Sequence, residues 1–106
     1  MEQFATTELK LAKSVKSGDK ESPLSLFSAA ERFRHFDLLA DANEDATVKV
    51  TLEGLGEVDL KLGADMEKGQ KKTIMTLFWF AERSKDIEMM RDAEAGESLI
   101  IKMQKL

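Results

Sequence analysis

Two short runs of alternating residues constrain this chain more than any other feature. Val48, Val50 and Leu52 alternate with Thr47, Lys49 and Thr51, and Val58, Leu60 and Leu62 alternate with Glu57, Asp59 and Lys61. A period of two is the signature of a strand with one buried face. The runs are separated by glycines, so residues 47–62 are predicted to form a β-hairpin. A Gly54–Gly56 loop would pair Leu52 with Val58 and Val50 with Leu60, with Gly56 in the left-handed position. That register sets Lys49 against Lys61 and Glu53 against Glu57, which opposes it mildly. A hairpin with one apolar face is not stable alone and must be covered.

Residues 22–40 offer the cover. Ser22-Pro23 suits a helix start, and Ser28-Ala-Ala-Glu31 suits a capping box, so the first turn could begin at either. Leu26, Ala29, Ala30, Phe33, Phe36 and Ala40 form an apolar stripe at helical spacing. Residues 2–17 are expected to form another helix, from Phe4, Leu11 and Val15 on one side and from acidic residues early and lysines late. The rival reading there is a strand, because Thr7, Leu9 and Leu11 alternate with Glu8 and Lys10. Residues 71–81 also read two ways. Ile74, Leu77, Phe78 and Ala81 fit a helix, but the aromatic and β-favouring content and the preceding turn favour a third strand with residues 77–80 in the core. Ser84 would cap a short helix to Ala95, and residues 98–105 would close the fold as a strand with Leu99, Ile101 and Met103 inward.

The expected class is therefore α+β: about four strands in a small antiparallel or mixed sheet, helices on one face, order α-α-β-β-β-α-β. A small OB-like barrel is the variant if the first segment is a strand. The 106 residues suit a single domain spanning 1–106. No internal repeat, low-complexity tract or long linker is evident.

Composition narrows the function classes. The chain has no cysteine, which removes disulfides, thiolate metal sites and thiol nucleophiles and suits a reducing compartment. Its net charge of -4 does not suit a protein held mainly by phosphate contacts. The N-terminal residues show no basic and apolar leader pattern, and the longest apolar run, Leu77 to Ala81, is far too short for a membrane span. Cytoplasmic location without membrane attachment is the expectation.

No motif carries catalytic, cofactor or metal chemistry. The single histidine, His35, has no partner in any triad-like pattern and is expected at the surface. Asp41, Asn43 and Asp45 imitate the start of a calcium loop, but Ala46 stands where the turn needs glycine and Leu52 where the bidentate glutamate belongs. The other carboxylates fall on faces expected to be solvated. Gly54-Leu-Gly56 lacks the helix and lysine of a phosphate loop.

One feature departs from a plain core helix. Phe27 and Leu38 would lie in line on a second apolar edge of the 22–40 helix, with Arg34 between them. Aromatic, leucine and arginine groups anchor protein contacts, so Phe27, Arg34 and Leu38 are the candidate partner-binding residues. The chain is accordingly expected to be a non-enzymatic binding or regulatory protein that acts on another protein, in the manner of small inhibitors and adaptors of phages or mobile elements. The alternative is a nucleic-acid module using Arg32, Arg34 and Lys68 to Lys72. If the final strand is an edge, it could pair with a second copy.

Overall fold

The computed structural model describes all 106 residues. Its centre is a four-stranded antiparallel sheet in the order β1-β8-β4-β5. These strands are β1 (Glu2–Lys10), β4 (Thr47–Leu52), β5 (Gly56–Lys61) and β8 (Ser98–Lys105). Two ribbons flank it, β2 (Lys20–Glu21) with β7 (Ile87–Glu88) and β3 (Phe36–Asp37) with β6 (Lys71–Lys72). Four one-turn helices complete the chain: α1 (Pro23–Leu26), α2 (Ala29–Arg32), α3 (Ile74–Leu77) and α4 (Phe80–Arg83).

The class is α+β with a four-stranded antiparallel sheet, but the element order differs from the expected one. Residues 2–10 are a strand, the rival reading. A bulge between Gln3 and Ala5 turns two successive residues, Phe4 and Ala5, into the core. The predicted 22–40 helix is two separate turns followed by a strand, because Phe27 between them is extended at φ -121°, ψ 141°. Both proposed start signals are used. The Ser22 N–H donates to Ser25 Oγ at 2.9 Å, and Ser28 Oγ accepts the Glu31 N–H at 3.4 Å. Residues 71–81 are not a third long strand but β6, α3 and the start of α4. Ser84 ends α4 rather than opening a helix, and Gly96 sits in a turn at φ 88°. The last strand forms as expected, with Leu99, Ile101 and Met103 buried. It lies in the middle of the sheet, with β1 on one side and β4 on the other, so it is no edge for a second copy.

The hairpin forms with its register moved. The loop is Glu53-Gly54-Leu55 and Gly54, not Gly56, takes the left-handed conformation at φ 79°. Val50 pairs with Val58 and Val48 with Leu60. The apolar faces survive because the shift is even. The like-charge pairs vanish: Lys49 now faces Asp59, and Thr47 faces Lys61.

The chain does contain a repeat. Leu9-Lys10-Leu11 returns as Leu60-Lys61-Leu62, Leu26-Phe27 as Leu77-Phe78, Ala30-Glu31-Arg32 as Ala81-Glu82-Arg83, and Asp41-Ala42 as Asp92-Ala93, always 51 positions on and without a gap. The structure follows it. β1 to β4 and α1–α2 correspond one for one to β5 to β8 and α3–α4. Side-chain bonds recur in pairs. Glu31 Oε1 accepts the Lys10 N–H at 2.7 Å, as Glu82 Oε1 accepts that of Lys61 at 2.7 Å. Arg32 donates to the Leu24 carbonyl at 2.8 Å, as Arg83 does to that of Met75 at 2.8 Å. Asp92 accepts the Ser17 N–H at 2.8 Å, as Asp41 accepts that of Lys68 at 2.7 Å.

The two halves are interlocked. Every strand pair, in sheet and ribbons alike, joins a strand of the first half to a strand of the second. Both halves contribute to one cluster of 27 buried apolar residues, so there is one core rather than two. No helix is long and apolar enough to cross a membrane.

Candidate functional site

The residues grouped from the sequence do not form a surface. Phe27 and Leu38 are 2% and 1% exposed and belong to the core, so the apolar edge inferred from a continuous helix does not exist. Arg34 is exposed and pairs with Glu31 at 3.3 Å. Phe33, expected at the centre of the buried stripe, is exposed, as is His35. Of the aromatic run expected in the core, Leu77 and Phe78 are buried while Trp79 and Phe80 are 57% and 67% exposed. Asp41, the first residue of the calcium-like segment, serves as the acceptor for Lys68 described above.

The repeat makes each half a control for the other. Positions held alike have structural work: Glu31/Glu82 fasten the helix pairs to the sheet, and Arg32/Arg83 fasten the second turn of each pair to the first. Positions that differ without a packing reason point to something else. The sharpest difference is at the start of the second helix of each pair. Ser28 caps α2 with its hydroxyl, whereas its counterpart at α4 is Trp79, which makes no side-chain cap bond. Hydroxyl and carboxylate residues are favoured at this position, and their loss costs about 0.5–2 kcal/mol. The next pair, Ala29 and Phe80, repeats the contrast: a small exposed residue in one half, a large exposed aromatic in the other.

The indole of Trp79 rests on Gly63. A Cβ at Gly63 would stand 3.4 Å from Cδ2 and Cε2 of the ring. The first half has Ala12 and Ser28 at these positions, so the glycine and the tryptophan change together. Around them opens a groove of about 520 Å³, lined in part by Met75, Phe78, Trp79, Phe80 and Arg83. Arg83 shapes its wall. The guanidinium donates to the carbonyls of Met75 and Phe78 and its Cζ lies 6.0 Å from the centre of the Phe80 ring. No matching hollow opens in the first half. A smaller one, about 180 Å³, lies at the hairpin turn beside Met90.

Behind the groove, Glu82 anchors α4. Burial works against its charge, but the Lys61 N–H and the Lys85 ammonium at 3.2 Å outweigh it and hold the carboxyl below its ordinary value.

No family model matches this chain, and no curated protein or solved structure is significantly similar to it.

Sequence reasoning missed the groove because it missed the repeat. Comparing the chain with itself at a displacement of 51 would have placed Trp79 opposite a capping serine and marked it as out of pattern.

Proposed function

We propose that the protein is a non-enzymatic binding protein that docks another protein through the groove floored by Met75, Trp79 and Phe80. One observation carries this reading: an exposed tryptophan occupies a helix-cap position that its twin fills with a capping serine. A residue that lowers local stability and leaves an indole in water is accounted for by what it touches outside the chain. Tryptophan and its aromatic neighbours are the side chains that anchor protein interfaces. The only titratable group lining the groove, Arg83, is committed to two backbone carbonyls, which suits a shaped surface better than a reacting centre.

The interface therefore moves from Phe27, Arg34 and Leu38 to the second helix pair. An inhibitor or adaptor role in the cytoplasm remains the fitting context. Nucleic acid is the second reading, since exposed aromatics can stack on bases. It is the weaker one, because a strand of phosphates needs a basic track and the chain is acidic overall.

Affinity capture with matched baits tests the reading. The wild type is compared with W79S/F80A, which installs the residues of the first half. A partner held by the wild type and lost by the variant, at a thermal stability no lower than that of the wild type, is expected. Equal retention by both would place the interface elsewhere.

A further inference from the structure

The rim of the groove differs between the halves in charge as well as in shape. In the first half Lys13 and Glu21 close on each other as an ion pair. Their counterparts are Ala64 and Lys72. Ala64 lines the groove, and Lys72 has no carboxylate partner. The repeat sets Lys72 opposite position 64 as Glu21 stands opposite Lys13, so an ion pair in one half is replaced in the other by a groove-lining alanine and a lysine without a carboxylate. Two cations close to it in sequence are matched: Lys71 pairs with Asp37 at 2.8 Å and Lys85 with Glu82.

We infer that the groove takes an acidic peptide segment, with a Phe or Leu side chain seated against Trp79, Phe80 and Met75 and a neighbouring Asp or Glu carboxylate reaching Lys72. This rests on the docking reading above and names the chemistry of its partner. The Lys72 ammonium suits one or two carboxylates on a short segment. A nucleic acid, with its regularly spaced phosphates, is less suited to a chain whose net charge is -4 and whose Lys71 and Lys85 are already paired.

Trp79 is the only tryptophan and the chain has no tyrosine, so red-edge excitation reports on the groove alone. The probes are fluorescein-labelled peptides without Trp or Tyr: a Phe-Leu pair flanked by Asp and Glu, the same pair flanked by Lys, and the same pair flanked by Ser and Gln. Oligothymidylate is the fourth. Each is titrated at low ionic strength into the full chain, with anisotropy and Trp79 emission both followed.

The acidic peptide is expected to saturate and to shift Trp79 emission, binding about two- to fivefold more tightly than the neutral one, the scale of one surface charge pair. K72E, which restores the first-half charge, should weaken it by a similar factor while leaving binding of the neutral peptide unchanged. W79S/F80A should weaken both by about tenfold or more. Circular dichroism on each variant shows whether the fold is kept. Neutral or basic peptides that bind as tightly as the acidic one, or K72E without effect, would overturn the acidic specificity and leave groove docking in place. Preferential binding of oligothymidylate would overturn it in favour of nucleic acid. If no peptide binds, the inference falls, and the capture comparison still decides separately whether the groove docks a protein.

Discussion

Trp79 lies against Gly63, and the other half of the chain has Ser28 and Ala12 at the equivalent positions. The indole therefore has its own seat, cut by removal of one methyl group. Gly63→Ala brings a Cβ to 3.4 Å of the ring, an ordinary contact. The melting temperature should move by less than about 3 °C, corresponding to well under 1 kcal/mol for a domain of this size. Trp79 emission should change, since a methyl group then lies against the ring. Unchanged emission would show that the indole does not rest there in solution.

Replacing Trp79 by serine should not destabilise the protein. The variant regains a hydroxyl cap worth about 0.5–2 kcal/mol and loses only a half-exposed packing contact. Urea denaturation of W79S is expected to give a midpoint equal to or above that of the wild type. A clear drop would mean that the indole is structural, and the case for an outside partner would weaken.

Gly56 is far less tolerant. A Cβ there would stand 2.8 Å from Cγ2 of Ile87 and 2.9 Å from the carbonyl oxygen of Glu88. Backbone cannot step aside as a flexible side chain can. Gly56→Ala should cost about 1–3 kcal/mol, read from the urea midpoint. The equivalent residue in the first half is Ala5, which is fully buried and bridges to Leu38, so the close approach at Gly56 is a feature of the second half.

Glu82 sets a direction for pH dependence. Its folded carboxyl is held below the ordinary value, so the native state favours the ionised form. The stabilisation is fully present above the unfolded value, near 4.5, and is lost as pH falls through the lowered folded value. Glu82→Gln should therefore lower stability at neutral pH while flattening its fall as the solution is acidified through and below the unfolded value. Parallel curves for variant and wild type would show that Glu82 does not carry this dependence.

Because every strand pair crosses between the halves, unfolding should be a single event. Leu26→Ala and Leu77→Ala remove equivalent side chains, both 0% exposed. Each should cost about 2–5 kcal/mol. Each should also shift the whole transition seen by circular dichroism and by Trp79 fluorescence together. Two separated transitions would contradict the interlocked fold.

Strong local patterns were legible in the sequence and borrowed ones were not. The alternation in β4 and β5 was readable because each strand buries one face along its length. The hairpin register slipped by two because loop placement at Gly54-Leu-Gly56 is ambiguous from glycines alone, although the opposed Lys49–Lys61 and Glu53–Glu57 pairs already argued against the first choice. The 22–40 segment imitates a long helix because two single turns, each with its own serine start, happen to space Leu26, Phe36 and Ala40 at helical intervals. Nothing local reveals that Phe27 is extended and buried. The ribbons are two residues long and stand only because their partners lie in the other half, so no window of neighbouring residues could show them. The misplacement of Phe27 and Leu38 follows from that one helix. The true outlier, Trp79, needed the comparison of the halves.

The turn Glu53-Gly54-Leu55 is the single covalent link between those halves. In an assembly of two identical chains, any substitution appears twice, and a costly cap replacement would be felt at both ends. Joining the halves in one chain frees them to diverge. One elbow can keep its serine and hold the structure steady while the other spends the same position on an indole. That turn is thus the feature that allows a symmetric scaffold to have one distinguished side.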